Sequence, residues 1–252
     1  MRIFAISDIH IDYAENLKWL QNLSEYDFQD DILIIAGDIT DNIELLKKGL
    51  KLIERRFFKV LFIPGNHDIW VFRNNFNDSL ECFHHIIQIA LDYGIQTSPF
   101  HMSDLSIVPL MSWYDYSFGQ PDEELKDIWM DFSYCKWPAG FDEPQITQYF
   151  LNQNETFLTI QNRKIISFSH FLPRIDLMPT FIPEARRKIY PVLGSIELDK
   201  QIRKLGSTIH IYGHSHVNQH IVQDKIIYIN NAFGYPHETL IARKNIIEVS
   251  IF

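Results

Sequence analysis

Seven side chains able to bind a metal ion follow apolar runs in this sequence. Asp8 and His10 follow "IFAIS", and Asp38 follows "ILIIAG". Asn66, with His67 and Asp68 after it, follows "VLFIPG"; His170 follows "IISFS"; His214 and His216 follow "IHIYG". Imidazole and carboxylate without thiolate suit Mn, Fe, Zn or Co better than Ca or Mg. Seven donors exceed what one ion accepts with room left for a substrate. Two ions sharing one carboxylate would use them all. Centres of that kind, with ions about 3.5–4 Å apart, are the usual apparatus for hydrolysing phosphoesters. Taken singly, each motif has a plainer explanation: a polar turn, or a histidine hydrogen-bonded in a core. Recurrence after five apolar runs is what favours a joint metal centre.

The elements that must position these groups are legible in outline. Short apolar runs at Arg2–Ile6, Ile32–Ala36, Val60–Pro64, Lys164–Phe168, Ile209–Tyr212 and Ile226–Ile229 read as buried strands. Between the early runs, Ile43, Leu46, Leu50 and Ile53 recur at helical spacing, and Phe76–Leu91 forms a second helical pattern. Strand and helix in alternation predict a parallel, helix-flanked sheet, whose strand ends open into a common crevice. The last third carries short strands in succession, as in a second or antiparallel sheet. In an extended segment residues i and i+2 share a side, so His214 and His216 can face one spot. Glycine before Asp38, Asn66 and His214 permits a sharp turn there.

Composition narrows the field. The 252 residues, with no Gly/Ser-rich linker, are expected to form one domain over 1–252, with an aromatic-rich insertion or cap at about 111–144. Hydrophobic residues at 46% and charged residues at 22% are those of a soluble globular protein. No apolar run approaches the ~20 residues of a membrane helix, and the N-terminus is too short in apolar residues for a signal peptide. A cytoplasmic location and no membrane partner are therefore expected. Only Cys82 and Cys135 are present, far apart, which excludes a disulfide framework or a thiolate metal site. A net charge of −9 argues against a nucleic-acid partner, which needs a clustered basic face. A small phosphorylated substrate remains compatible, because bound metal reverses the local field.

As a set, Asp8-x-His10, Gly37-Asp38, Gly65-Asn66-His67-Asp68, Ser169-His170 and Gly213-His214-Ser215-His216 resemble the calcineurin-like metallophosphoesterase family. The resemblance implies an α/β fold, a four-layer αββα sandwich of two mixed β-sheets flanked by helices. It implies one ion on Asp8, His10, Asp38 and His216, and a second on Asp38, Asn66, His170 and His214, with Asp38 bridging. Mn, Fe or Zn would fill these sites, in divalent or trivalent form. A hydroxide held between the ions would attack phosphorus in line. His67 would assist the leaving oxygen as acid or hydrogen-bond donor, oriented by Asp68.

Beyond the metals, Arg174 in "SHFLPR" is a candidate substrate contact, with a surface arginine as the plainer alternative. The aromatic stretch Ser112–Phe118 either lines the pocket or packs between sheet and helix. His84, His85, His101, His210, His220 and His237 are assigned structural or surface roles. The function implied is hydrolysis of a small-molecule or nucleotide phosphomonoester or phosphodiester. The alternatives are a nuclease, disfavoured by charge, and a non-catalytic scaffold, disfavoured because His67 and every ligand are present. Substrate identity and oligomeric state have no signature here.

Overall fold

Runs such as Ile32–Ala36 and Lys164–Phe168 are β-branched and almost wholly apolar, as strands covered on both faces must be. The computed structural model describes residues 1–250. In chain order the strands are β1 (Ile3–Ile6), β2 (Ile32–Ala36), β3 (Lys59–Ile63), β4 (Phe100–His101) and β5 (Leu105–Pro109). They continue with β6 (Lys164–Phe168), β7 (Ile209–Tyr212), β8 (Gln219–Gln223), β9 (Ile226–Asn230) and β10 (Ile247–Glu248). The helices are α1 (Ala14–Asn22), α2 (Ile43–Glu54), α3 (Ser79–Asp92) and α4 (Glu123–Ile128), then α5 (Asp131–Tyr134), α6 (Glu143–Asn154) and α7 (Ile196–Leu205).

Two mixed sheets result. The first runs β10-β1-β2-β3, parallel except for β10. The second runs β4-β5-β6-β7-β9-β8, parallel at its centre with an antiparallel strand on each edge. Side chains alternate across the second sheet. Ile166, Phe168, Ile209, Ile211 and Ile229 join the core shared with the first sheet, while Ile165, Tyr212, Ile226 and Tyr228 join a second core with Leu198, Ile202 and Leu205 of α7. The chain is thus two mixed sheets flanked by helices, as expected.

Local signals set several boundaries. The Asn42 side chain caps α2 through Leu45 N–H. Asp78 accepts from Glu81 N–H, which starts α3 at Ser79 instead of at Phe76. Ser195 caps α7, and Gly206 in the left-handed region ends it. The short runs β4, β5, β8 and β10 and the helices α1, α4, α5, α6 and α7 were not anticipated from sequence. Among the described residues no helix is long and apolar enough to cross a membrane.

Candidate metal centre at the strand ends

The carboxyl ends of β1, β2, β3, β6 and β7 open to one side, and the seven candidate ligands leave from those ends. The connections are sewn together by main chain: Asp8 N–H donates to Gly37 O at 2.9 Å, His10 N–H to Asp38 O at 3.2 Å, and Gly213 N–H to His170 O at 2.9 Å. Asp8, His10, Asp38, His214 and His216 all have φ between 43° and 66°. Non-glycine residues in that region cost on the order of 1–3 kcal/mol each and cluster where function holds them. Gly65 and Gly213 permit the close approach. A Cβ on Gly65 would fall on the Asp38 carboxylate and the His170 ring, and one on Gly213 would come within 2.6 Å of Asp8 Oδ2.

Hydrogen bonds behind the rings decide which nitrogens face inward. His170 Nδ1 lies 2.8 Å from Ala36 O, so Nδ1 carries the proton and Nε2 is a bare lone pair. His214 Nε2 lies 3.0 Å from Val192 O, so its Nδ1 is bare. These two bare nitrogens are 3.2 Å apart. Asn66 donates through Nδ2 to Asp131, leaving its Oδ1 2.9 Å from His170 Nε2. Asp38 Oδ2 is 3.4 Å from the same nitrogen. Four acceptors converge there with no proton between them. Such a set suits a cation.

The other half has the same logic. His216 Nδ1 donates to Glu238 Oε2 at 2.7 Å, and its Nε2 faces His10 Nε2 at 3.1 Å and Asp8 Oδ1 at 3.3 Å. The donor atoms of Asp8, His10 and His216 lie within 4.8 Å of one another, as do those of Asp38, His170 and His214. Asp38 stands between the halves, with Oδ2 3.9 Å from His10 Nε2. Burial, then the charge of neighbouring histidines, pushes His214 down to about 3 and lowers His10 well below its usual range. Neutral imidazoles are the form that ligates. For His216, burial opposes the charge, but Asp8 and Glu238 outweigh it and lift the ring to about 9. Burial, then Asp68 and Asp8, raises Asp38 well above the carboxylate range. A carboxylate so placed needs a cation to stay ionised. The donors of each cluster could hold a metal ion.

His67 sits at the edge of this cluster. Its main-chain N–H donates to Asp38 Oδ1 at 2.9 Å, and its ring stacks on Trp70 at 3.7 Å with an edge toward His10. Its side chain is 20% exposed, against 2% or less for His10 and His170, so His67 is the most open of the three. Asp68 does not orient it. The Asp68 carboxylate accepts from the main-chain N–H groups of Asp38, Ile39, Thr40 and Gly65 at 2.8–3.0 Å, tying the β2 and β3 turns together. Trp70 supports the His67 ring instead.

Arg174, expected at the substrate, is engaged elsewhere. Its fork is filled by Asp176 and Asp224, with contacts of 2.6–2.8 Å. The reason is the chain path: Leu172 pairs with Gly194 and the turn Ile175–Leu177 follows, so four residues past His170 no longer means nearness to it. In the stretch Ser112–Phe118, Trp113 and Tyr114 are buried, Trp113 against Trp137 and Phe171. They are packing residues. His210, buried between Ser167 and Ser169, is structural.

Sequence reasoning missed Glu238 behind His216, Asp131 behind Asn66, and Tyr235, whose ring packs on His10 and His216 at 4.7 and 4.8 Å. A lone aspartate amid the aromatics of "IWMDFSY" was the one available hint for Asp131.

Similarity to known proteins agrees with this geometry. Residues 1–218 match the calcineurin-like phosphoesterase family. The chain is 25% identical over 264 residues to "[Acyl-carrier-protein] phosphodiesterase PptH" of Mycobacterium tuberculosis, covering 94% of this chain and 78% of that one. It is 23% identical to protein L509 of Acanthamoeba polyphaga mimivirus, covering 94% and 93%. The crystal structure of phosphopantetheinyl hydrolase (PptH) from M. tuberculosis superposes with a TM-score of 0.80 at 20% identity, covering 94% of this chain and 90% of that one, so the two share a fold. The chain belongs to the calcineurin-like phosphoesterase family and is a metal-dependent phosphoesterase.

Proposed function

We propose that the protein is a dinuclear phosphodiesterase acting on a phosphodiester that carries a small phosphorylated group, within a single domain spanning 1–252. One ion would be held by Asp8, His10, Asp38 and His216, the other by Asp38, Asn66, His170 and His214. Mn, Fe and Zn suit these donors. The observation that carries the reading is the pair of bare nitrogens on His170 and His214, each fixed by a proton on its far side. Bound there, the ions supply charge neutralisation and a nucleophile at neutral pH.

The chain's own residues do the rest. The main-chain N–H of His67 holds one Asp38 oxygen, which leaves the other free to face both halves. The His67 ring, propped on Trp70 and open on one face, donates a proton or hydrogen bond to the departing oxygen. The histidines behind it are buried, which holds their rings in place. The substrate reading is narrowed by the relative's name: a phosphopantetheinyl group on an acyl carrier protein is the first candidate. Two free cysteines, Cys82 and Cys135, fit the cytoplasmic location that belongs to this reading.

The test is a metal-supplemented panel of holo-acyl carrier protein, aryl diester, aryl monoester, cyclic nucleotides and an oligonucleotide. Turnover of the diesters ahead of the monoester is expected. Turnover of the monoester alone would refute the diesterase reading, and turnover of the oligonucleotide alone would make the protein a nuclease.

A further inference from the structure

The segment 111–144 is hydrogen-bonded to the candidate ligand Asn66 through Asp131. Asp131 opens α5, is 2% exposed, and has both carboxylate oxygens occupied. Oδ1 accepts from Asn66 Nδ2 at 2.8 Å and from Trp70 Nε1 at 2.7 Å, while Oδ2 accepts from Trp129 Nε1 at 2.8 Å. Asn66 and Trp70 belong to the turn after β3, and Trp129 ends α4. One buried carboxylate therefore joins the turn that carries Asn66 and His67 to the segment 111–144.

The consequence for Asn66 follows from the chemistry of an amide. Its two ends differ only in that one accepts and the other donates, and they have nearly the same shape. With Nδ2 committed to Asp131, Oδ1 must face His170 Nε2 and Asp38. The flipped amide would set its oxygen against the Asp131 oxygen, acceptor against acceptor, and would aim N–H groups where a cation should sit. Asp131 also holds Trp70, on which the His67 ring rests, and Trp129, whose ring meets the edge of His214 at 5.7 Å. Its three partners surround the second half of the centre. The first half, built on Asp8, His10 and His216, is outside its reach.

We infer that Asp131 is a positioning residue: it locks the Asn66 amide in the one orientation that can ligate the second ion, and through Trp70 it seats His67. This rests on the reading of Asn66 as a ligand. Partners behind a ligand typically govern about 10–100-fold in metal affinity or activity.

The experiment measures the affinity of each of the two ions in the zinc-loaded protein by chelator competition, for the wild type and four variants. Asp131→Asn keeps size and removes the charged acceptor; the second ion is expected to weaken about 10–100-fold with the first unchanged. Trp129→Phe removes a donor from the other oxygen while Asn66 keeps its own bond, so it should weaken the second ion less than Asp131→Asn does. Trp70→Phe should leave both ions in place and lower turnover of poor leaving groups, because Asn66 keeps its bond while His67 loses its anchored support. Unchanged affinity in Asp131→Asn, or equal weakening of both ions, overturns the inference. Asn66→Ala separates this from the underlying assignment: if it also leaves both affinities unchanged, Asn66 is not a ligand and that reading fails. If Asn66→Ala weakens the second ion and Asp131→Asn does not, the positioning role alone fails. A measurement that needs no variant of Asp131 is side-chain amide exchange of Asn66 by NMR in the zinc-loaded wild type. Slow exchange relative to exposed amides is expected, and rapid exchange overturns the locked amide.

Discussion

The two halves of the metal centre are supported in different ways. In the first half, His216 leans on a carboxylate, Glu238, carried by the loop after β9. In the second, His170 and His214 lean on main-chain carbonyls, Ala36 O and Val192 O. A carboxylate makes the imidazole ahead of it more basic, and His216 is lifted to about 9, once Asp8 and Glu238 have overcome burial, while His214 is pushed down to about 3. A carbonyl cannot be deleted by changing a side chain. His216 is thus tunable by a substitution behind it, whereas His170 and His214 are held by the path of the main chain. The loop that carries Glu238 also lies beyond residues 1–218, where the family match ends. It is clamped by Lys244, whose Nζ donates to the carbonyls of Phe233, Gly234 and Tyr235, and by Asn16, whose Nδ2 reaches Ile9 O, His10 O and Gly234 O.

The strongest way to break this comparison is to damage both halves together. Asp38→Asn weakens the one carboxylate between them, and loss of several kcal/mol of charge stabilisation lowers turnover by on the order of a thousandfold. Elemental analysis should find both ions depleted. Two full ions and normal turnover would sink the shared role. His67→Ala comes next: retained metal, a loss of about 10²–10⁴-fold on an alkyl phosphoester, and a smaller loss on a nitrophenyl ester. Parallel initial-rate measurements on the two esters decide it, since equal losses would leave His67 as packing.

Glu238→Gln sharpens the contrast. It removes the charge behind His216 and should weaken the first ion about 10–100-fold while the second holds, as a chelator titration would read. Weakening of the second ion instead would show that the halves are not separately supported. The smallest effect belongs to Arg174→Ala. Its partners Asp176 and Asp224 are half exposed, so the pair contributes about 1 kcal/mol or less. A thermal melt should move little and turnover not at all. A clear loss of turnover would return Arg174 to the substrate.

What could be read in the sequence follows from where information is local. Asp8, Asp38, Asn66, His170 and His214 stand directly after apolar runs, and an apolar run fixes both a strand and the point where it ends. The supports behind them have no such mark. Asp131 meets Asn66 across 65 residues, and Glu238 meets His216 across 22, with residue types that are common on any surface. Arg174 was placed by distance along the chain, and the turn after His170 made that distance irrelevant. The face-to-face stacking of the sheets came from the family resemblance, because alternation within a strand says which side is buried but not against what.

The reach of the first half along the chain has a consequence for the order of assembly. His10 and His216 meet across 206 residues, and the second half closes across 104 between Asn66 and His170 and 44 between His170 and His214. Contacts of long separation form late, because their closure entropy must be met before they reward the chain. A growing polypeptide can therefore bring Asn66 and His170 together well before His216 exists. His214 and His216 stand two residues apart, so both halves are completed together, once the end of β7 is in place.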